Sequence, residues 1–237
     1  PNAAGSALLV LEYFSETLFM GLNSSTLKAL LIHTADDLGN AGPDYKFGWG
    51  LMNAEAAADV VTSHEADSLA RYITQDQLTD SSPQDTYTFN WDGSREIRAT
   101  LCWTDPAASG VTGLDNSTPR LVHDLDLRIT APDGTTVYQP FVLNPASPGN
   151  AATTGNNSLD NVEQVLIASP SQAGQYTLTV SIDEALSETF QSYSLILSGQ
   201  GPGPTPTMTY TPSPVPTETF TPLPTAAYTP TPVPTDT

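Results

Sequence analysis

Residues 3–20 read AAGSALLVLEYFSETLFM, and this stretch decides the fold because it is almost continuously small or apolar. Its only charges, Glu12 and Glu16, lie with Ser15 on one narrow stripe of a helix. The pattern predicts a deeply buried helix, since apolar side chains surround most of its circumference. Such a helix needs a sheet to cover it, so we expect it to be part of a larger domain.

Two shorter helices are predicted after it. N-cap candidates at residues 23–26 begin the second helix, and Gly39 is placed to end it. A glycine-punctuated loop at residues 47–53 then leads into a short Ala-rich helix. Three helices without strands cannot form a complete domain. The predicted apolar face of the second helix consists of Leu27, Leu30, Leu31, Thr34 and Leu38.

From about residue 69 the hydrophobic period changes to two, and turn residues recur every ten residues or so. Asp92-Gly93 and the segment 132–134 are turn signals between predicted strands. The pattern predicts an antiparallel β-sandwich or jelly roll of roughly 130 residues. The predicted strands are residues 86–90, 95–104, 121–130, 135–138, 162–168, 175–182 and 190–198.

The chain ends in a Pro- and Thr-rich segment in which alternate prolines remove amide donors and favour extended polyproline II. We expect a disordered stalk, because no packed core can form there. It either tethers the protein to a further module or to the cell surface, or is a frayed terminus. The predicted organisation is therefore helices at residues 1–66, the sandwich at 67–199 and the stalk at 200–237.

The charge balance excludes one class of partner. The chain has 26 acidic residues against 7 Lys plus Arg, a formal net charge of -19, and a phosphate backbone requires a basic footprint. Nucleic acid is therefore excluded. An acidic, Lys-poor surface is common among exported proteins, so we expect a secreted or cell-surface location. There is no initiator Met, no signal-peptide pattern and no uncharged run long enough to span a bilayer, which indicates a processed piece of a longer polypeptide.

The candidate nucleophiles and bases favour structural roles. The lone cysteine, Cys102, lies on the face of its strand opposite the apolar residues and is interpreted as a structural thiol. His33 falls opposite the apolar face of its helix, where we expect exposure to solvent, and His64 is expected in a loop. His123 shares strand parity with Leu125 and is interpreted as a core histidine. No catalytic residue is predicted within the chain.

Three segments nevertheless resemble the subtilisin-like serine peptidase family. Residues 1–9, PNAAGSALL, are similar to the continuation of its Gly-Thr-Ser-Met-Ala-x-Pro motif, with Pro1 as the last motif position. Residues 32–36, IHTAD, and 48–54, GWGLMNA, follow in the order that the family requires. The resemblance implies an endopeptidase that acts on proteins through an acylated serine, with His as base and Asp as its orienting partner. It places that serine four residues before Pro1, so this chain alone should be inactive.

The predicted sandwich is similar to the jelly-roll, P-domain-like domains that follow the catalytic domain in some large bacterial members of that family. The similar segments are residues 98–105, 121–127, 131–134, 160–163 and 174–178. His123 departs from the pattern, since Asn is expected before Asp124.

Two carboxylates in this domain are candidate metal ligands. Asp124 and Asp126 are two apart on a predicted strand and therefore share one face. They could bind a structural Ca²⁺ together with Asp105, Asp160 or Glu163, because calcium accepts six to eight oxygen ligands in loose geometry. A solvated strand face with Arg128 as the partner and a glycosidase acid–base pair are the alternatives.

Two functions from different classes remain open. The first is part of a secreted subtilisin-like endopeptidase, with the chain carrying the rear of the catalytic domain, an accessory β-domain and a stalk. The second is a non-catalytic glycan- or protein-binding module, or an adhesion module, presented on the stalk.

Overall fold

The computed structural model describes residues 1–110, 112–114, 116, 118–182 and 184–200, which all belong to one compact unit. The predicted stalk lies outside the described residues, apart from Gln200. The proposed boundaries between helices, sandwich and stalk stay a prediction. Within the described residues, the helices pack directly against the sandwich.

The first third of the unit is helical, as predicted. The helices are α1 (Asn2–Leu18), α2 (Ser24–His33) and α3 (Ala54–Ala66), and a short 3₁₀ turn (Ser68–Ala70) follows. The side chain of Asn53 caps α3 by accepting from the Ala56 amide at 2.9 Å. Because α3 continues to Ala66, His64 lies in its last turn and not in a loop as expected.

The end of α2 also differs from the prediction. The helix stops at His33, and the guanidinium of Arg98 donates from Nη1 to the His33 carbonyl at 2.7 Å, which satisfies a terminal acceptor. Gly39 lies in the loop beyond, at φ +87°, where a Cβ would meet Asp44 and Phe47 side-chain atoms. That glycine is therefore required by a close approach between loop segments and not by the helix end.

The described residues after the helices form ten strands, and every pairing among these is antiparallel. Sheet I has the order β1-β10-β3-β8 and sheet II the order β2-β9-β4-β5, while β6 and β7 pair separately. All seven predicted strands are present, and three others were not predicted: β1, β6 and β7. The strands are β1 (Ile73–Leu78), β2 (Gln84–Asn90), β3 (Ile97–Trp103), β4 (Leu125–Thr130), β5 (Val137–Tyr138), β6 (Phe141–Val142), β7 (Thr153–Thr154), β8 (Val162–Ile167), β9 (Gln175–Ile182) and β10 (Gln191–Ser198).

The two four-stranded sheets face each other across a shared apolar core. Alternate residues of β3, such as Leu101 and Trp103, point into this core and meet Leu127 of β4 and Leu178 of β9. Trp103 is 1% exposed, and its indole donates to the His123 carbonyl at 3.0 Å. This arrangement is the predicted antiparallel sandwich.

A second core lies on the outer face of sheet I, where the helices pack. It joins Phe14 of α1, Leu30 of α2 and Val61 of α3 to Ile196 of β10 and Cys102 of β3. Sheet I is thus covered on both faces, which explains why β3 and β10 are buried along nearly their whole length. Cys102 is confirmed as a structural thiol, since burial raises its pKa to about 12.

The burial of α1 is less complete than predicted. Only Val10 and Phe14 are buried, because the helix contacts α3 and α2 along one narrow face. The remaining apolar surface of α1 faces outward, and it is described with the candidate site below.

Candidate functional site

A polar seam joins α2 to the outer face of sheet I. Thr26 Oγ1 lies 2.8 Å from Ser194 Oγ and donates to Gln75 Oε1 at 2.6 Å. Ser25 Oγ also contacts the Ser194 hydroxyl, at 2.8 Å. Short polar side chains therefore pair across the contact, and each hydroxyl buried there has a partner.

His33 continues this seam, which corrects the prediction that it faces solvent. Its ring is 3% exposed, with Nδ1 2.9 Å from Thr100 Oγ1 and Nε2 3.0 Å from Ser198 Oγ. Burial, with the positive charge of Arg98 as a second cause, lowers the pKa of His33 to about 3. The ring is therefore neutral at physiological pH and serves as a fixed hydrogen-bonding block between helix and sheet.

Glu163 is a buried acid at the open edge of the sandwich. It is 0% exposed on β8, and its Oε2 accepts from the Leu127 amide of β4 at 2.5 Å. Strand β5 pairs with β4 at Ile129 and Thr130 and does not extend to Leu127. The Leu127 amide therefore donates to the Glu163 carboxyl group instead of to a neighbouring strand. The carboxylate thus links sheet I to sheet II.

The charge of Glu163 is only partly compensated. Arg128 Nη1 lies 3.7 Å from Oε2, while the Arg128 guanidinium also pairs with Asp126 at 2.6 Å. Burial raises the pKa of Glu163 to about 9, with the nearby charges of Asp126 and Asp124 adding to the rise and Leu127 and Arg128 opposing it. Among the described residues, no hydrogen bond reaches the buried Oε1.

The five predicted calcium ligands occupy three places. Glu163 reaches from β8 to the Leu127 amide of β4, where the charges of Asp126 and Asp124 contribute to raising its pKa. Asp105 uses both carboxylate oxygens to accept the amides of Val122 and His123, at 2.8 and 2.9 Å, and so fixes the turn before β4. Asp160 is in the loop before β8. Within the part of the chain that the structure describes, no three His, Cys, Asp or Glu side chains are grouped so as to hold a metal ion.

His123 is a buried histidine with partners at both ring nitrogens, as the strand parity predicted. It is 1% exposed, and Nδ1 lies 2.7 Å from Gln191 Oε1 while Nε2 lies 2.8 Å from Ser187 Oγ. Ser187 and Gln191 lie 64 and 68 residues further along the chain. No local pattern marks either residue as a partner of His123.

The outward face of α1 carries exposed apolar side chains. Leu8 and Leu9 are each 63% exposed, and Phe19, just beyond the helix, is 90% exposed. Contiguous apolar surface of this kind marks an interaction face in soluble proteins. Across the described ranges, no helix is both long and apolar enough to cross a membrane.

These features define a class of architecture: a helical layer packed on one face of an antiparallel β-sandwich. The subtilase family model matches residues 1–50, which include α1, α2 and the loop towards α3. Residues 1–50 are therefore a subtilase-like segment, and the resemblance drawn from the three motifs is confirmed.

One curated relative extends the similarity into the sandwich. The chain is 27% identical over 223 residues to the serine protease/ABC transporter B family protein tagA of Dictyostelium discoideum, and the match covers 84% of this chain. The chain spans only 12% of the length of that relative.

Two solved structures are similar in part. The pre-peptidase C-terminal domain of the Bacillus anthracis collagenase matches 53% of this chain and 87% of its own, at 12% identity and a TM-score of 0.31. The Bacillus licheniformis lipase BlEst2 in propeptide form matches 55% of this chain and 22% of its own, at 15% identity and a TM-score of 0.31.

Proposed function

We propose that the chain is part of a secreted subtilisin-like serine endopeptidase and supplies the rear of its catalytic domain, an accessory β-domain and a stalk. The observation that supports this most is the family match at residues 1–50 on helices that leave an apolar face uncovered. Leu8, Leu9 and Phe19 would be buried by the rest of the catalytic domain, and that burial would stabilise the parent by about 1.5–3 kcal/mol for each side chain fully covered.

The first turn of α1 suits a position directly after a nucleophilic serine. The helix that would follow the serine is apolar on most of its surface, and Asn2–Leu18 carries no acidic residue in its first turn. A serine at the start of such a helix has its oxygen near unsatisfied amides and the positive end of the helix dipole, which favour a developing oxyanion. The motif places the serine four residues before Pro1, and its hydroxyl would attack a peptide carbonyl with a histidine as general base.

We also propose that the accessory domain is a jelly roll. Its first and last strands, β1 and β10, pair with each other, and so do β2 and β9, then β3 and β8, then β4 and β5. This nesting of early with late strands, distributed alternately between two four-stranded sheets, is the order that a rolled-up hairpin produces.

Activity measurements test the proposed peptidase role. The parent polypeptide should hydrolyse casein, and the 237-residue chain alone should not, because the proposed nucleophile is outside it. Casein hydrolysis by the isolated chain that a serine-directed inhibitor blocks would contradict the assignment. Retention of the isolated chain on an insoluble polysaccharide, with no hydrolysis by the parent, would favour a binding module instead.

We further propose that the sandwich binds a structural Ca²⁺ through Asp124, Asp126 and Glu163, with Asp105 and Asp160 as additional candidates. The orphaned buried Oε1 of Glu163 and the two aspartates beside it supply hard oxygen donors, which fit the ion. The carboxylates must move closer than they stand in this structure, and Glu163 must lose its proton, so binding should strengthen with pH.

Calorimetry of the 237-residue chain measures this directly. We expect millimolar Ca²⁺ to raise the Tm relative to EDTA, and we expect Asp126→Asn to remove most of that rise. Asp133→Asn is the matched control, since Asp133 caps the turn after β4 and is not a candidate ligand. An identical Tm in Ca²⁺ and EDTA would exclude the site.

A further inference from the structure

The tautomer of His123 is fixed by its neighbours. The side-chain nitrogen of Gln191 donates to the carbonyls of Thr104 and Ser192, at 3.1 and 2.8 Å. The Oε1 of Gln191 must therefore face the ring, and because it can only accept, Nδ1 of His123 carries the hydrogen. The other ring nitrogen, Nε2, is left with a lone pair.

Both the hydroxyl and the backbone amide of Ser187 lie within hydrogen-bonding distance of that lone pair. The Ser187 hydroxyl lies 2.8 Å from Nε2, and the backbone amide of the same residue donates to Nε2 at 3.0 Å. The amide contact holds Ser187 against the ring, and the hydroxyl shares the same acceptor. His123 is 1% exposed, whereas Ser187 is exposed to solvent. A hydroxyl, a base and a group that orients the base thus follow one another at hydrogen-bonding distance, and the hydroxyl belongs to an exposed residue.

Ser187 opens onto a groove of about 570 Å³. Arg120 and Glu188 supply its charged groups, and the rest of its wall is mostly small and apolar. Such a wall suits a short acyl chain and offers little to an extended polypeptide. The apolar residues that line the groove are Pro106, Ala107, Ala108, Pro119, Leu121 and Val122.

We propose that Ser187 is an activated nucleophile with His123 as its general base, and that the groove takes small activated esters. Gln191 is a positioning residue that fixes the tautomer. The Ser187 oxygen bonds to the ester carbonyl carbon while its proton moves to Nε2 of His123, which then no longer accepts from the Ser187 amide. The carbon–oxygen bond to the leaving group then breaks, and the leaving oxygen takes that proton. Water afterwards hydrolyses the acylated Ser187 to release the acid and restore the hydroxyl.

This site lies outside the subtilase-like segment. Its residues lie at the sandwich end, on the β3–β4 and β9–β10 connections and on β10, and none belongs to the subtilase-like residues 1–50. Labelling of Ser187 and hydrolysis of casein by the parent can therefore fail separately.

The test uses the whole 237-residue chain and a fluorophosphonate probe, which replaces fluoride by the attacking oxygen. Mass spectrometry of the labelled peptides should place the adduct on Ser187. Ser109 lines the same groove without a histidine at its hydroxyl and serves as the internal control. We expect Ser187 to react about a hundredfold faster than Ser109, at the lower end of general-base effects.

Four variants complete the test. Ser187→Ala should lose the release of p-nitrophenol from p-nitrophenyl acetate, whereas Ser109→Ala should retain it. His123→Gln should slow the labelling of Ser187 to the rate at which Ser109 is labelled. Gln191→Leu should slow labelling, and Gln191→Glu, which keeps an acceptor for Nδ1, should restore part of it. If Ser187 in the unsubstituted chain labels no faster than Ser109, the proposal is wrong whether or not the His123 and Gln191 variants fold.

Discussion

Glu163→Gln is expected to stabilise the chain by about 3 kcal/mol at pH 7 in the presence of EDTA. The pKa of Glu163 is raised to about 9 in the folded chain and returns to its ordinary value near 4.5 on unfolding. The folded state therefore holds a proton that the unfolded state releases. Between pH 4.5 and the folded pKa, each pH unit lowers the free energy of unfolding by about 1.4 kcal/mol. Glutamine removes that cost, and its amide oxygen can still accept from Leu127.

Urea unfolding at pH 5, 7 and 9 measures the effect. The gain over the unsubstituted chain should be small at pH 5 and grow steadily towards pH 9. Glu184→Gln makes the same charge change at an exposed position of the sandwich and should leave the unfolding free energy nearly unchanged. A gain for Glu163→Gln that does not vary with pH would mean that Arg128 and the Leu127 amide keep Glu163 ionised in the folded chain.

His33 should dominate the loss of stability in acid. Its folded pKa of about 3 lies well below the unfolded value of 6.5, so the unfolded chain binds a proton between these values and the folded chain does not. The contribution of the neutral His33 ring to the free energy of unfolding is fully present above pH 6.5 and is lost as the pH falls towards 3. Between pH 7 and pH 4 we expect a loss of about 3 kcal/mol from this residue.

The difference between the unsubstituted chain and His33→Gln isolates this contribution from the titrating carboxylates. The variant should be less stable at pH 7, because it loses a hydrogen bond to Thr100 or Ser198, and its unfolding free energy should fall less between pH 7 and pH 4. His64→Gln is the matched control, since His64 is only partly buried and lies in the last turn of α3, away from the seam. Equal acid dependence in the unsubstituted chain and His33→Gln would show that His33 is accessible to protons.

The seam that contains His33 explains where sequence patterns succeed and fail in the helices. Apolar periodicity marked Leu27, Leu30 and Leu31 as the inner face of α2, and Leu30 is indeed fully buried. The opposing strands present hydroxyls, so the face that meets the sheet carries Ser25, Thr26 and His33. Hydrophobicity cannot identify a contact face when its partner is polar.

The sandwich was more predictable because both of its sheets bury alternate residues. Strand β9 has the pattern expected of a half-buried strand, and its bounds, Gln175–Ile182, match the prediction. Strand β1 was missed because Gln75 reaches α2 while Asp76 and Gln77 are exposed, which leaves apolar residues only at its two ends. The short strands β6 and β7 have two residues each and show no period at all.

The candidate sites depend on contacts that sequence spacing does not encode. Strand parity predicted that Asp124 and Asp126 share a face. It could not predict that Glu163 accepts the Leu127 amide, because that contact depends on β5 pairing only with Ile129 and Thr130. Ser187 and Gln191 meet His123 through the fold of a separate connection, so the sequence marked His123 as a core residue and gave no sign of its neighbours.

Hydrolysis of casein by the parent polypeptide, with and without one substitution, tests the proposed function most directly. The substitution replaces by alanine the serine that the motif places four residues before Pro1, and Ser187→Ala in the same polypeptide is the matched control. We predict that the first variant loses casein hydrolysis and that the second retains it. Full hydrolysis by the first variant, or a residue other than serine at that position, would contradict the assignment of residues 1–50 to the rear of a subtilisin-like catalytic domain.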